Sequence, residues 1–194
     1  MIKEAQSPLA IRSQQWLADA LLLLMEEKDF HSISITEIAQ KADLSRRTFY
    51  RVFDTKEDAL AWHARQLYKE FLLLLERKTD RQFPAIVTLY LEFWYRHKHF
   101  FELLKRSEML PFMLNQYLRV FPDVFQMVKG DYPLAQHPDA LAYAMAFSAG
   151  GLLSVLLKWA DDGMDKTPQE IAHLVEVMLQ TPQQTASNET GVKI

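Results

Sequence analysis

The stretch FHSISITEIAQKADLSRRTFYRVFDTKEDAL, residues 30–60, sets three helix starts and one tight turn close together. Ser34-Ile35-Thr36-Glu37 is a capping box. In this motif the serine oxygen and the glutamate carboxylate each satisfy a backbone N–H that the first helical turn leaves without a partner. Ile33 before the cap and Ile38 inside the helix are placed to staple the entry of the chain. A helix therefore begins at Ile35, and Ala42-Asp43-Leu44 stops it about two turns later. Ser45 then caps a second short helix, Arg46 to Val52. The run Asp54-Thr55-Lys56-Glu57-Asp58 caps a third, which continues through Leu60, Leu67, Phe71 and Leu75 to about Lys78.

Outward from this segment the pattern stays helical. Ser7 followed by Pro8 is an N-cap with proline at the first helical position, and opens a helix that runs through Leu9, Trp16, Ala20 and Leu24 to about Lys28. Beyond Arg81 the composition becomes aromatic and rich in methionine, with helices expected near 84–98, 99–107, 110–128, 138–161 and 168–180. Pro122 should kink or split the third of these. Thr167-Pro168-Gln169-Glu170 combines an N-cap, a first-position proline and a capping glutamate. Only five glycines occur, and no hairpin dipeptide joins alternating runs. The expected fold is all-α with about nine helices. An N-terminal three-helix domain with a helix-turn-helix (1–55) leads to a larger helical domain (56–180) and a polar tail expected to be disordered (181–194).

At 194 residues and 49% hydrophobic content the chain can bury one sizeable core or two smaller ones sharing an interface. It has no cysteine, which excludes disulfides, thiolate metal sites and cysteine nucleophiles. Its start, MIKEAQSPLAIRSQQW, has no apolar leader, so a cytoplasmic location is expected. The net charge of −3 argues against indiscriminate binding of polyanions. Yet residues 45–56 hold Arg46, Arg47, Arg51 and Lys56 against Asp54 alone. A basic patch on an acidic molecule can grip phosphate locally while the remaining surface repels it.

A two-turn helix presented on a crossing helix fits the major groove of DNA. Arg46, Arg47 and Thr48 lie on its first turn, where side chains reach base edges and arginine can pair bidentately with guanine. Tyr50, Arg51 and Lys56 are better placed for phosphates, as is Thr36 on the preceding helix. The same segment resembles the DNA-binding motif of the tetracycline-repressor (TetR) family. Ile38-Ala39 matches the buried pair of the first helix, and Ala42, Leu44 and Ser45 match the turn. Thr48, Phe49, Tyr50 and Phe53 match the recognition helix, and Lys56-Glu57 the start of the linking helix. One departure is Asp43, which stands where that family usually has glycine, at a turn position that wants positive φ. The resemblance implies a homodimeric, sequence-specific transcription regulator. It would be a repressor released from a palindromic DNA operator by a small effector, and the second half of the chain would form the ligand-binding and dimerisation domain.

That half offers Tyr90, Trp94, His97, Phe112, Tyr117, Phe121, Tyr143 and Phe147 as candidate ligand contacts, and the residues around them read equally well as plain core. The helix near 84–98 is apolar around most of its circumference, so it is expected to be central. Residues 140–157 carry no charge, but small residues dominate the first part and Asp139 and Lys158 bound the run, which speaks against a membrane span. Ala142, Ala146, Gly150 and Ser154 recur every four residues, a row that lets another helix approach closely. With Ile171, Leu174, Val175 and Met178 it suggests a homodimer through the helices near 138–161 and 168–180.

No P-loop, GxSxG or HExxH occurs, and neither Glu170 with His173 nor His97 and His99 with Glu102 completes a metal site. No metal, cofactor or catalysis is expected. The alternative reading is a helical adaptor whose aromatic C-terminal half binds a partner protein, since an aromatic chamber and an aromatic groove look alike in one sequence.

Overall fold

A computed structural model of the chain describes residues 7–112, 116 and 138–179. They form α1 (Pro8–Glu27), a 3-10 turn (Phe30–Ser32), α2 (Ile35–Lys41), α3 (Arg46–Val52), α4 (Lys56–Glu76), α5 (Phe83–Arg96), α6 (Lys98–Arg106), α7 (Pro138–Asp161) and α8 (Pro168–Leu179). No strand occurs among the described residues. The all-α expectation holds. Tyr117, Phe121, Pro122 and the tail 181–194 lie outside the described residues.

The helices begin where their caps require. Ser7 Oγ accepts from Ala10 N–H at 3.2 Å, and Ser34 Oγ accepts from Glu37 N–H at 3.3 Å while Ser34 N–H donates to Glu37 Oε2 at 2.9 Å. Thr55 and Asp58 close the same reciprocal box on α4, and Thr167 and Glu170 close it on α8. Hydrogen bonds from the Thr167 N–H and hydroxyl hold the Glu170 carboxyl below its ordinary pKa.

The end of α2 is equally local. Asp43 N–H donates to Gln40 O at 3.1 Å and Leu44 N–H to Ala39 O at 2.8 Å, the paired bonds of a Schellman stop. Asp43 occupies the left-handed position of this stop with φ 53°. The turn thus survives the loss of glycine, because a short polar side chain tolerates that region better than a branched one. The same arrangement ends α6, with Glu108 at φ 56°, and follows α7, with Gly163 at φ 78°.

Helix α1 is the platform of the N-terminal part and packs against α2, α3 and α4. Its buried face is Leu17, Ala18, Leu21, Leu24 and Met25, joined toward the N-terminus by Ser13 and Gln14. Leu9 and Trp16, through which the apolar pattern of this helix runs, are 62% and 46% exposed. The first turns of α1 bury a polar pair instead, and Ser13 satisfies itself by donating to Leu9 O at 2.9 Å. In the C-terminal part α5 is central as expected, packing against α4, α6, α7 and α8. One hydrophobic core runs from Leu17 to Val175, and α4 belongs to both halves, with Phe71 meeting Tyr90 and Phe93 of α5.

Helix α8 divides its apolar residues differently from the sequence reading. Ile171, Ala172 and Val175 are buried, whereas Leu174, Val177 and Met178 are exposed. One stripe packs on α5, and the other is exposed, with no cover among the described residues.

Asp43→Gly is expected to stabilise the fold by about 1 kcal/mol, or about 2–4 °C in melting temperature, by relieving the left-handed backbone. Asp43→Val should lower it. Thermal unfolding followed by circular dichroism checks both.

Candidate nucleic-acid interface

Helix α3 has two faces with separate duties. Phe49, Val52 and the C-cap Phe53 are buried, at 0%, 2% and 0% exposure, and fasten the helix to the body of the domain. Arg46, Arg47, Tyr50 and Arg51 lie on the exposed side. Ser45 Oγ accepts from Thr48 N–H at 3.0 Å and stands 3.0 Å from Thr48 Oγ1, so these two residues lock the first turn that carries the arginines. Among the described residues no acid pairs with Arg46, Arg47 or Arg51. Thr36 is half-buried on the first turn of α2. The sequence-predicted DNA set therefore gathers on one segment, with one exception.

The exception is Lys56. Its ammonium donates to the carbonyls of Phe30 at 2.7 Å, His31 at 3.0 Å and Ile33 at 2.9 Å, and sits 4.7 Å from the Phe30 ring centroid. All three N–H bonds of the ammonium are used inside the protein. Lys56 is thus a clasp that ties the start of α4 to the turn before α2, and in this structure its ammonium is engaged there rather than left free toward phosphate. A clue lay in the sequence: a lysine at the first position of a helix faces the positive end of the dipole, so a specific partner has to hold it there.

Other cations of the N-terminal part are similarly engaged. Lys28 pairs with Glu37, and Lys41 with Glu27 at 2.8 Å. The Lys28 ammonium, followed by the Ser34 N–H and hydroxyl, holds the Glu37 carboxyl down to about 2. Between Lys28 and Lys56 the cations with no acid paired to them, among the described residues, are the three arginines of α3 and Lys56.

In the C-terminal part the candidate ligand residues separate. Tyr90, Trp94 and His97 come together around Phe93: Tyr90–Trp94 6.4 Å, Phe93–Trp94 5.6 Å and Phe93–His97 4.5 Å between ring centroids. Phe112 is half-buried and packs against the same core. Tyr143 and Phe147 do not join them. They are 81% and 69% exposed, on the outer side of α7, because that helix turns Ala149, Leu152, Leu156 and Trp159 toward the core.

A residue the sequence reading passed over, His63 of α4, packs its ring at a tilt against Phe100, 4.8 Å between centroids, and has a buried Nδ1 without a hydrogen-bond partner. Burial, opposed by Asp19 and reinforced by the nearby His97, lowers its pKa. His63 sits inside an apolar helical stretch, where nothing in the spacing marks it.

Comparison with known proteins matches both halves. A family profile described as "Bacterial regulatory proteins, tetR family" covers residues 17–61, and one described as "Transcriptional regulator C-terminal region" covers residues 82–181. The chain belongs to the TetR family. Over 53 residues it is 38% identical to the HTH-type dhaKLM operon transcriptional activator DhaS of Lactococcus lactis subsp. lactis (strain IL1403). That match covers 27% of the chain and 28% of the relative's length. The solved structure of a dihydroxyacetone kinase operon activator DhaS is similar in fold, with TM-score 0.56, 19% identity, and 87% of this chain and 94% of that one covered. The fatty acid degradation regulator FadR from Bacillus halodurans superposes with TM-score 0.60 and 16% identity, covering 90% and 96% of the two chains. A regulator from Aquifex aeolicus VF5, titled as TerR/AcrR family, gives TM-score 0.57 and 17% identity, covering 86% and 97%.

This TetR-family chain is accordingly a DNA-binding transcription regulator, and α2–α3 is its helix-turn-helix. Membership favours the regulator over the adaptor reading. No helix among the described residues is long and apolar enough to cross a membrane.

In the TetR-family chain, Lys56→Ala should cost about 1–3 kcal/mol of stability, because three carbonyls lose their donor. It should leave the salt dependence of DNA binding unchanged. Arg51→Ala should do the reverse, sparing stability and reducing the slope of log affinity against log salt by about 1. Thermal melts and salt titrations on one DNA duplex separate the two.

Proposed function

We propose that the protein acts as a homodimer whose two α3 helices enter successive major grooves of a near-palindromic operator, about 34–36 Å apart. The observation that carries this reading is the pair Arg46 and Arg47, exposed on the first turn of a helix whose opposite face is fully buried. Ser45, Thr48, Tyr50, Arg51 and Thr36 surround them and supply contacts to the backbone.

The dimer surface is the outer side of α7 and α8. Tyr143, Ala146, Phe147, Gly150 and Ser154 are exposed on α7, and a Cβ at Gly150 would meet no atom within 4 Å. Leu174, Val177 and Met178 are exposed on α8. Apolar side chains left exposed on both helices suit a second copy of the chain, and the small residues of α7 allow its helix to approach closely.

A small apolar or aromatic effector would act from the layer around Tyr90, Trp94 and His97. The unpartnered Nδ1 of His63 gives that layer one polar atom that a ligand could satisfy. Helix α4 runs from this layer to the helix-turn-helix, so a ligand preferring another α4 pose would lower DNA affinity by linkage. Repression with ligand-induced release, in the cytoplasm and without catalysis, is the activity this arrangement supports.

Selection of binding sites from random duplexes should return a palindrome. Arg46→Ala or Arg47→Ala should relax preference at one position per half-site, a loss of about 1–3 kcal/mol of discrimination, while Tyr50→Ala weakens all sequences alike. Failure to enrich any sequence would remove the reading. Phe147→Glu should shift the protein toward monomer in sedimentation and weaken binding to the whole palindrome far more than to a half-site.

A further inference from the structure

Helix α1 ends on Met25-Glu26-Glu27 with Lys28 as its C-cap, and the Lys28 ammonium is turned to Glu37 of α2. Acidic side chains at the negative end of a helix dipole are unfavourable, and the last carbonyls of a helix lack partners. Groups on other elements meet them. Lys41 of α2 pairs with Glu27 at 2.8 Å. From the C-terminal part, His99 Nε2 stands 2.9 Å from Glu26 Oε1, and the Arg106 guanidinium donates to the Met25 carbonyl. Both residues lie on α6, two turns apart on the side that packs against α1.

Helix α1 is also the platform on which α2 and α3 rest. We propose that the C-terminal turn of α1 is a coupling joint, through which Arg106 and His99 of α6 set the pose of the helix-turn-helix independently of α4. Arg106 and His99 are positioning residues: neither belongs to the exposed face of α3, and they act by holding the platform. Arg106 makes the stronger hold, since a charged donor meets a carbonyl that its own helix leaves underused. From Met25, Glu26 and Glu27 the restraint passes through Lys41 to α2 and through the buried face of α1 to α3.

The His99–Glu26 contact is largely exposed, so its share of the hold is small. Lys105, on the same helix, is turned to Asp161 of α7 at 2.5 Å and takes no part in the joint.

The test uses the full chain and an operator recovered by wild-type selection, with affinities referred to the DNA-binding-active fraction well below each variant's melting temperature. A head released from its joint has to be ordered on binding, so Arg106→Ala should weaken operator affinity about five- to tenfold. Arg106→Lys should recover most of it, and Lys105→Ala, on the same helix but facing Asp161, should match wild type. Hydrogen exchange should rise at residues 24–28 and in α2 of Arg106→Ala. His99→Gln and Glu26→Gln, which remove the second contact of the joint, should each weaken affinity about twofold. Wild-type affinity in Arg106→Ala overturns the proposal. If Arg106→Ala does not fold, His99→Gln and Glu26→Gln decide it, and wild-type affinity in both overturns it. The affinity arms rest on the operator reading; if wild type selects no operator that reading fails, and the exchange at residues 24–28 still decides the joint.

Discussion

The reading helix cannot exist without the burial beneath it. Two turns of helix are far too short to persist in water, because the cost of nucleation is spread over too few hydrogen bonds. Phe49 and Phe53, both fully buried, make α3 part of the core and so give it a fixed orientation. Truncating a buried phenylalanine costs about 3–5 kcal/mol, a large part of the stability of a domain this size. The arginines on the opposite face can therefore be selected for DNA alone. They contribute nothing to the packing that holds them.

The distribution of positive charge follows the same division. Lys28, Lys41 and Lys56 lie close in sequence to Arg46 and Arg47 and would be equally attractive to phosphate by composition. Each is instead engaged internally, by Glu37, by Glu27 and by three backbone carbonyls. Lysine suits such work because its compact ammonium donates in three directions. Arginine, with a planar fork matched to guanine and phosphate, is left exposed. A net charge of −3 then keeps the rest of the surface from competing for DNA.

What the sequence disclosed and what it hid separate along physical lines. Capping boxes, the Schellman stop and the first-position prolines involve groups three to five residues apart, so Ser34, Thr167 and Asp43 could be read directly. Which face of a helix turns inward depends on partners distant in sequence. Leu9 and Trp16 carry the apolar pattern of α1 and are exposed, while Ser13 and Gln14 are buried. The carbonyls that hold Lys56 were not legible, since they lie more than twenty residues earlier in the chain. Among the ligand candidates the α5 residues converge, because one helix fixes their mutual spacing. Tyr143 and Phe147, on another helix, could be assigned to the same interior only by guessing the rotation of α7, and that rotation places them outside.

The continuous core bears on how such a molecule could respond to anything it binds. A boundary at residue 55 divides the reading head from the rest by role, yet Leu21 and Phe49 on one side of it and Leu60, Phe71, Phe93 and Leu104 on the other belong to one packed cluster. Interiors packed like crystals transmit displacement, because few voids are available to absorb it. A shift of α5 or α6 is therefore felt by α4, α1 or both. Where α4 offers a long lever through apolar contact, the end of α1 offers a short one through charge. Two such routes with different chemistry would let the core bias the reading head in two ways.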